Sequence, residues 1–329
     1  MKIVHYIFVA LAGACIPLSL APFDWWWTSI LAMAALALLL NKAQSPRQGF
    51  FLAWSFGSAS FATGVSWVYV AMHDFGHTPA YLAIPMTAIF CIGLGLIPAL
   101  FGYCYSRWIR HGRAGSTLGF AACWVLFEWL RGWLFTGFPW LYLGYGHLHT
   151  ALAGWSPVLG IYGLSFWVAL SGAALAQLLS APTQKRRSAI LTGLACIALF
   201  LQGHFLQDIE WTQASDKPAL RIGAVQSNIS QDKKWAYSQY WATLEHYDSA
   251  SETLWSESDL VIWPEAAIPA LYHNAQSFFD YMAERAVINN SALISGVPTS
   301  SGENMYNSVM VVSGGEGIYH KQRLVPFGE

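Results

Sequence analysis

Charged side chains are scarce in this chain: Asp, Glu, Lys and Arg make up 11% of its 329 residues, against about 25% in ordinary soluble domains. That scarcity argues against a single well-solvated globule, and a hydrophobic content of 55% excludes intrinsic disorder. No basic run is long enough to track a phosphate backbone, so nucleic acid is not an expected partner. There is no Gly-rich phosphate loop and no Gly-x-Ser-x-Gly elbow, and no cofactor is implied. Cysteine is sparse as well: Cys15, Cys91, Cys104, Cys123 and Cys196 are the full set, and none follows residue 196. A metal centre has one weak lead in His73, Asp74 and His77. Only a helix would bring both histidines to one face, and Phe75-Gly76 disfavours one, so a solvated loop and no metal site are expected.

What charge there is divides unevenly. Residues 1–205 hold 10 Lys and Arg against 3 Asp and Glu, a net +7, whereas residues 206–329 hold 7 against 15, a net −8. Two units in different surroundings are therefore expected: a membrane domain over 1–206, a linker over 207–217 and an external domain over 218–329. About 20 apolar residues cross a bilayer, and seven such runs are present, near 3–21, 26–40, 49–72, 79–105, 114–135, 152–181 and 188–206. Lys2, Lys42, Arg47, Arg107, Arg110, Arg113 and Lys185-Arg186-Arg187 all fall in every second connection. The positive-inside rule then places the N-terminus in the cytoplasm and the acidic domain outside.

Within the fifth run, Glu128 and Arg131 lie i, i+3 on one helix face and can pair. They are either functional, as intramembrane charges commonly are, or a self-neutralising pair that locks packing. The following segment, Thr136-Gly-Phe-Pro-Trp-Leu-Tyr-Leu-Gly-Tyr-Gly-His147, contains Pro139 and Trp140. It reads as an interfacial lid or acyl-chain groove, or as an aromatic belt.

In the external part, Leu220–Gln226, Leu260–Trp263, Ala292–Val297, Asn307–Val312 and Gly317–Lys321 read as strands. Trp235–Glu257 and Ser277–Asn289 read as helices, giving the order β, α, β, α, β, β, β of an α/β layered domain. Glu265 follows Trp263-Pro264 at the carboxyl end of a buried strand, a common location for chemistry in open α/β sheets. Its apolar neighbours are expected to desolvate it partly, which would raise its pKa and suit a general base; a helix-capping role is the other reading. Lys321 ends a short strand, as an oxyanion-stabilising ammonium or as an ordinary exposed lysine.

Four segments carry a specific resemblance: Ala224-Val-Gln-Ser-Asn-Ile-Ser-Gln-Asp-Lys-Lys-Trp235, Val261-Ile-Trp-Pro-Glu-Ala-Ala-Ile-Pro269, His320-Lys-Gln-Arg-Leu-Val-Pro-Phe-Gly-Glu329 and Arg131-Gly-Trp-Leu-Phe-Thr-Gly-Phe-Pro-Trp140. Taken in their order along the chain, they resemble the bacterial apolipoprotein N-acyltransferase family, a membrane branch of the nitrilase, or carbon-nitrogen hydrolase, superfamily. The resemblance implies a multi-span α-helical membrane domain plus an α/β nitrilase-like αββα sandwich with a Glu-Lys-Cys triad. Glu265 matches the general base, Lys321 the stabilising lysine, Glu329 a further assisting glutamate and Trp235 an aromatic at the catalytic entrance. The implied partners are a phosphatidylethanolamine-like phospholipid donor, a diacylated apolipoprotein acceptor and the bacterial inner membrane. Trp140, Pro139, Glu128 and Arg131 would lie on the substrate side of the membrane domain.

The nucleophilic cysteine expected from the resemblance lies beyond Pro-Phe-Gly-Glu in the family and has no counterpart here. A thiol within hydrocarbon keeps a high pKa and cannot replace it. The chain thus looks like the front two thirds of such an enzyme, with an incomplete sandwich, and is expected to be inactive as written. An inactive remnant that binds lipid or lipoprotein, or a transporter with an external domain, are the competing readings.

Overall fold

The computed structural model describes residues 2–110, 116–180 and 183–324. The chain divides into two compact units, Met1–Thr212 and Gln213–Glu329. The first contains helices α1 (Ile3–Ala14), α2 (Trp27–Lys42), α3 (Pro46–Gly64), a short α4 (Val68–Val70), α5 (Ala80–Leu94), α6 (Leu96–Cys104), α7 (Ser116–Arg131), α8 (Ser156–Ser180) and α9 (Thr183–Leu206). Helix α3 shows how the sequence sets a boundary. The Ser45 hydroxyl accepts from the Gln48 amide at 3.3 Å, the Gln48 side chain accepts in return from the Gln44 amide at 2.7 Å, and Pro46 fills the first helical position.

These helices bury large apolar side chains against each other, including Leu36, Leu40, Leu52, Phe56, Phe101, Phe120 and Trp124. Where α3 meets α6 the backbones touch: a Cβ on Gly102 would lie 2.4 Å from the Gly49 carbonyl oxygen, a small-residue contact of the kind that brings membrane helices together. Three stretches, Ala80–Ile109, Ala151–Ser180 and Arg187–Leu206, are long and apolar enough to cross a membrane, and the apolar Ile3–Ser19 and Trp27–Lys42 are shorter. The remaining expected spans contain helices α3 and α7. His73–Phe75, expected as loop, continue the preceding span as part of one turn of π-helix, Ala71–Phe75, that ends at Gly76. His77 turns away with φ 51°, and the His73 Nδ1 atom lies 2.8 Å from the Thr78 carbonyl oxygen. Among the described residues, no three His, Cys, Asp or Glu side chains cluster as a metal site.

The second unit is built on one five-stranded sheet in the order β1-β2-β3-β4-β5: Ile222–Ala224, Leu260–Ile262, Ala292–Ser301, Asn304–Ser313 and Ile318–His320. Strands β1, β2 and β3 are parallel, and β3, β4 and β5 antiparallel. The β1–β2 crossover carries α10 (Gln231–Lys234), α11 (Tyr240–Glu252) and α12 (Leu254–Glu257), and the β2–β3 crossover carries α13 (Tyr272–Ile288). Tyr247, Trp255, Val261, Trp263, Phe279, Met282 and Leu293 share one core. The second sheet of a sandwich is not among the described residues.

Several boundaries depart from the sequence reading: β1 is shorter than Leu220–Gln226, and α13 begins at Tyr272 rather than Ser277. The helix expected over Trp235–Glu257 breaks into a 3-10 turn at Tyr237–Gln239 followed by α11 and α12. Strands β3 and β4 extend beyond their apolar runs because polar side chains pair across them, as Thr299 Oγ1 and Ser308 Oγ do at 2.7 Å.

Candidate active site

Strand β2 delivers Glu265 to the carboxyl end of the parallel sheet. Trp263 is locked on both sides: its amide donates to the Ile294 carbonyl at 2.9 Å, and its buried indole donates to Ser251 Oγ at 3.0 Å. After Pro264 and Glu265 the chain returns to β3, where the Ala267 amide donates to the Gly296 carbonyl at 2.9 Å. Glu265 therefore sits at the tip of a tight turn tethered at both ends. Its neighbour Ala266 takes φ 44°, a left-handed conformation that a non-glycine residue holds only when its surroundings impose it. Gly296 makes room for the turn, since a Cβ there would lie 2.5 Å from the Pro264 carbonyl oxygen and 2.7 Å from Glu265 Cα.

Three side chains converge on Glu265. Lys321 Nζ lies 3.3 Å from Glu265 Oε1, and Asn307 Nδ2 donates to the same oxygen. The Lys321 amide donates to the Asn307 carbonyl at 2.8 Å, so the β4–β5 pairing presents both donors together. From the β1–β2 crossover, Lys234 Nζ donates to the Glu265 main-chain carbonyl at 3.1 Å. Burial pushes the Lys234 ammonium pKa below its ordinary value, and the Glu265 carboxylate opposes that shift. Lys234 also lies 5.9 Å from the ring centroid of Trp235, which is exposed.

The structure thus brings Glu265 and Lys321 into contact and places Trp235 beside a lysine bound to the same turn. Glu329 lies outside the described residues. The expected desolvation of Glu265 is corrected: its side chain is 63% exposed, although the backbone of its turn packs closely on Gly296. Asn307 and Lys234 were not singled out from sequence. The only sequence signals are a polar residue opening an apolar strand and a lysine beside Trp235; the sheet register and the crossover decide that both reach Glu265. A carboxylate held by an ammonium and an amide can accept a proton from a nucleophile presented to its exposed face, with the ammonium at hand for developing negative charge.

In the helical unit, Glu128 and Arg131 are both buried near the end of α7. The two make no direct ion-pair contact, and each bonds other groups. Glu128 Oε1 accepts from Trp124 Nε1 at 2.9 Å and from the Leu143 amide at 3.1 Å. Arg131 Nη1 donates to the Phe138 carbonyl at 3.3 Å and to the Trp140 carbonyl. Its guanidinium carbon lies 4.7 Å from the Tyr142 ring centroid and 5.1 Å from that of Phe61. Pro139 and Trp140 are exposed, with Trp140 stacked on Phe138 at 5.1 Å. The cavity beneath, lined by Glu128, Arg131, Ser60 and Leu141, measures about 30 Å³, room for a water-sized group and not an acyl chain. An apolar groove of about 460 Å³ is lined instead by α2, α8 and α9, with Trp26, Trp167 and Phe200 among its residues. All five cysteines lie in the helical unit, none in a disulfide.

Family comparison gives the class: residues 221–329 match the carbon-nitrogen hydrolase family, and residues 12–174 match the apolipoprotein N-acyltransferase N-terminal domain. The chain is 36% identical over 327 residues to the apolipoprotein N-acyltransferase of Coxiella burnetii, covering 98% of this chain and 66% of that protein. It is 39% identical over 327 residues to that of Azotobacter vinelandii (97% and 62%), and 38% over 326 residues to that of Pseudomonas syringae pv. tomato (97% and 63%). The chain belongs to the apolipoprotein N-acyltransferase family and spans just under two thirds of the length of these relatives.

Proposed function

We propose that these residues form the membrane base and the acid-base part of an enzyme that moves an acyl chain from a phospholipid to a lipoprotein. The donor is of the phosphatidylethanolamine type, and the acceptor is the free α-amine of a diacylglyceryl-cysteine. A cysteine thiolate attacks the donor's ester carbonyl, the C–O bond breaks, and the lysophospholipid leaves with a proton. The acceptor amine then attacks the thioester, the C–S bond breaks, and the thiolate is regenerated as the amine loses its proton. In this reading Glu265 takes the thiol proton, Lys321 stabilises the tetrahedral oxyanion, Glu329 assists and Trp235 borders the entrance. No cysteine occurs in the unit that carries Glu265, and in this reading the thiol is the family's nucleophile, which the resemblance matches to none of these residues.

The observation that carries the proposal is the Lys321–Glu265 contact at the carboxyl end of β2, in a chain of this family. Membrane attachment fits the chemistry. Donor and acceptor are both held in a bilayer, and an active site mounted on spanning helices receives them laterally and stores the acyl group covalently between two half-reactions. The positive connections favour a multi-pass arrangement in the bacterial inner membrane with the N-terminus cytoplasmic and the Glu265 unit periplasmic. Pro139 and Trp140 would face the lipid approach.

The test is acyl transfer to a diacylated lipopeptide by a parent protein that joins this chain to a cysteine-bearing remainder of the domain, with Glu265→Gln and Lys321→Met alongside. Transfer by the parent, abolished by both substitutions, is the expected result. A parent without transfer, or substitutions without effect, removes the proposal.

A further inference from the structure

The loop after α7 holds two short 3-10 turns, Leu134–Thr136 and Leu143–His147, and the backbone between them lies outside both helix and sheet. Between Phe135 and Leu141 four residues take left-handed φ values: Phe135 at 52°, Thr136 at 75°, Gly137 at 92° and Leu141 at 59°. Three of the four carry a Cβ, and such conformations persist only where neighbouring groups hold them. Aromatic rings crowd the loop, with Phe61 and Phe90 on Phe138 and Trp67 on Trp140. Water is a poor partner in such surroundings, so main-chain groups must find others.

Two buried charges one helical turn apart provide them. Arg131 can only donate, and it serves two carbonyls, those of Phe138 and Trp140. Glu128, as a carboxylate, can only accept, and it takes the Leu143 amide. The geometry points to a polarity-matched clamp: Arg131 and Glu128 are positioning residues that fix the backbone of 138–143 and thereby set the exposed Pro139-Trp140 tip. The cation binds the C=O side of the loop and the anion its N–H side. The rings of Phe61 and Tyr142 against the guanidinium hold the donor in place. The clamp stands on these contacts, while its effect on substrate handling rests on the proposed lipid-facing role of Trp140.

Amide hydrogen exchange, read by mass spectrometry on the 329-residue chain in phosphatidylethanolamine-containing nanodiscs, tests the clamp. Arg131→Met and Glu128→Leu are expected to speed exchange in peptides covering 137–143 by about tenfold or more, with α1 and α3 unchanged. Glu128→Gln keeps an acceptor oxygen for the Leu143 amide and is expected to exchange like the parent. Arg131→Lys, a point donor without the planar fork, falls between, at about threefold. Glu128→Gln exchanging as fast as Glu128→Leu would assign the effect to charge pairing and overturn the clamp, as would no change or acceleration spread evenly over the helical unit. Where Arg131→Met and Glu128→Leu do not fold, the conservative pair decides: loop acceleration in Arg131→Lys with none in Glu128→Gln supports the clamp, and any other pattern overturns it. Photo-crosslinking of a benzophenone-bearing phosphatidylethanolamine to the loop reads the lipid-facing role separately. A loop that exchanges as expected but captures no lipid removes that role and leaves the clamp standing.

Discussion

Lys321 Nζ lies 3.3 Å from Glu265 Oε1 although 56 residues separate them in the chain. The contact depends on the order β2-β3-β4-β5: Glu265 leaves the end of β2, and Lys321 leaves β5 two strands beyond β3. Asn307 bridges the gap by bonding Glu265 through its side chain and Lys321 through its carbonyl.

Removing either charge should disable the proposed chemistry without unfolding the sheet, since both side chains reach solvent. In the parent that carries a cysteine, Glu265→Gln and Lys321→Met are each expected to lower acyl transfer at least about a hundredfold. Lipopeptide mass after incubation with phosphatidylethanolamine measures it, and near-normal transfer by either variant would remove that residue from the mechanism.

A protein of these 329 residues alone is expected to form no acyl-thioester, because none of its five cysteines matches the nucleophile that the family resemblance implies. Incubation with a radiolabelled-acyl phospholipid followed by hydroxylamine treatment checks this. Hydroxylamine-sensitive label on the purified chain would contradict it.

Gly296→Ala probes the turn that projects Glu265. A Cβ would press on the Pro264 carbonyl at 2.5 Å and the Ala266 amide at 2.8 Å, all main-chain atoms that cannot swing aside. A stability loss of about 1–3 kcal/mol is expected, together with faster exchange at the Ala267 amide. Denaturant titration of the second unit's unfolding reads the first quantity, and an unchanged midpoint would mean the turn relaxes freely.

The Arg221–Asp259 pair predicts a pH dependence at the β1–β2 edge. The Arg221 side chain, and its amide, bond the Asp259 carboxylate and hold its pKa below the ordinary 3.8. A depressed carboxylate contributes stability above its ordinary value and loses it as pH falls through the lowered one. Protection of the Val225 amide, which bonds Ile262, should therefore exceed that of Asp259→Asn near neutrality, and the two should converge as pH drops below the carboxylate range. Both groups are exposed, so the difference is small and shrinks with salt. A gap unchanged down to acid pH would exclude the pair as its source.

Trp140→Ala, in the cysteine-bearing parent, should slow at least one half-reaction if the loop meets lipid. Following thioester formation and amine transfer separately identifies which, and equal rates in both would reduce Trp140 to interfacial packing.

Much of the architecture was legible in local pattern. Apolar runs marked every helix of the first unit, and short Val- and Ile-rich runs marked all five strands, because burial selects side chains residue by residue. Glu265 was legible for the same reason, as a carboxylate directly after a buried strand and a proline. What burial does not encode locally was missed: the polar extensions of β3 and β4, which rest on cross-strand bonds such as Thr299–Ser308, and the exposure of Glu265.

By itself, the sequence determined that an apolar, sparsely charged helical unit precedes an acidic α/β unit, and that Glu265 and Lys321 each end a strand. Tertiary structure alone decided that these two meet, that Asn307 and Lys234 join them, and that Glu128 and Arg131 grip a loop instead of each other. Hydrophobic patterning follows from each residue's own transfer between water and apolar surroundings. A hydrogen bond depends on distance and angle between groups remote in sequence, which exist only once the strands are in register and the chain has turned.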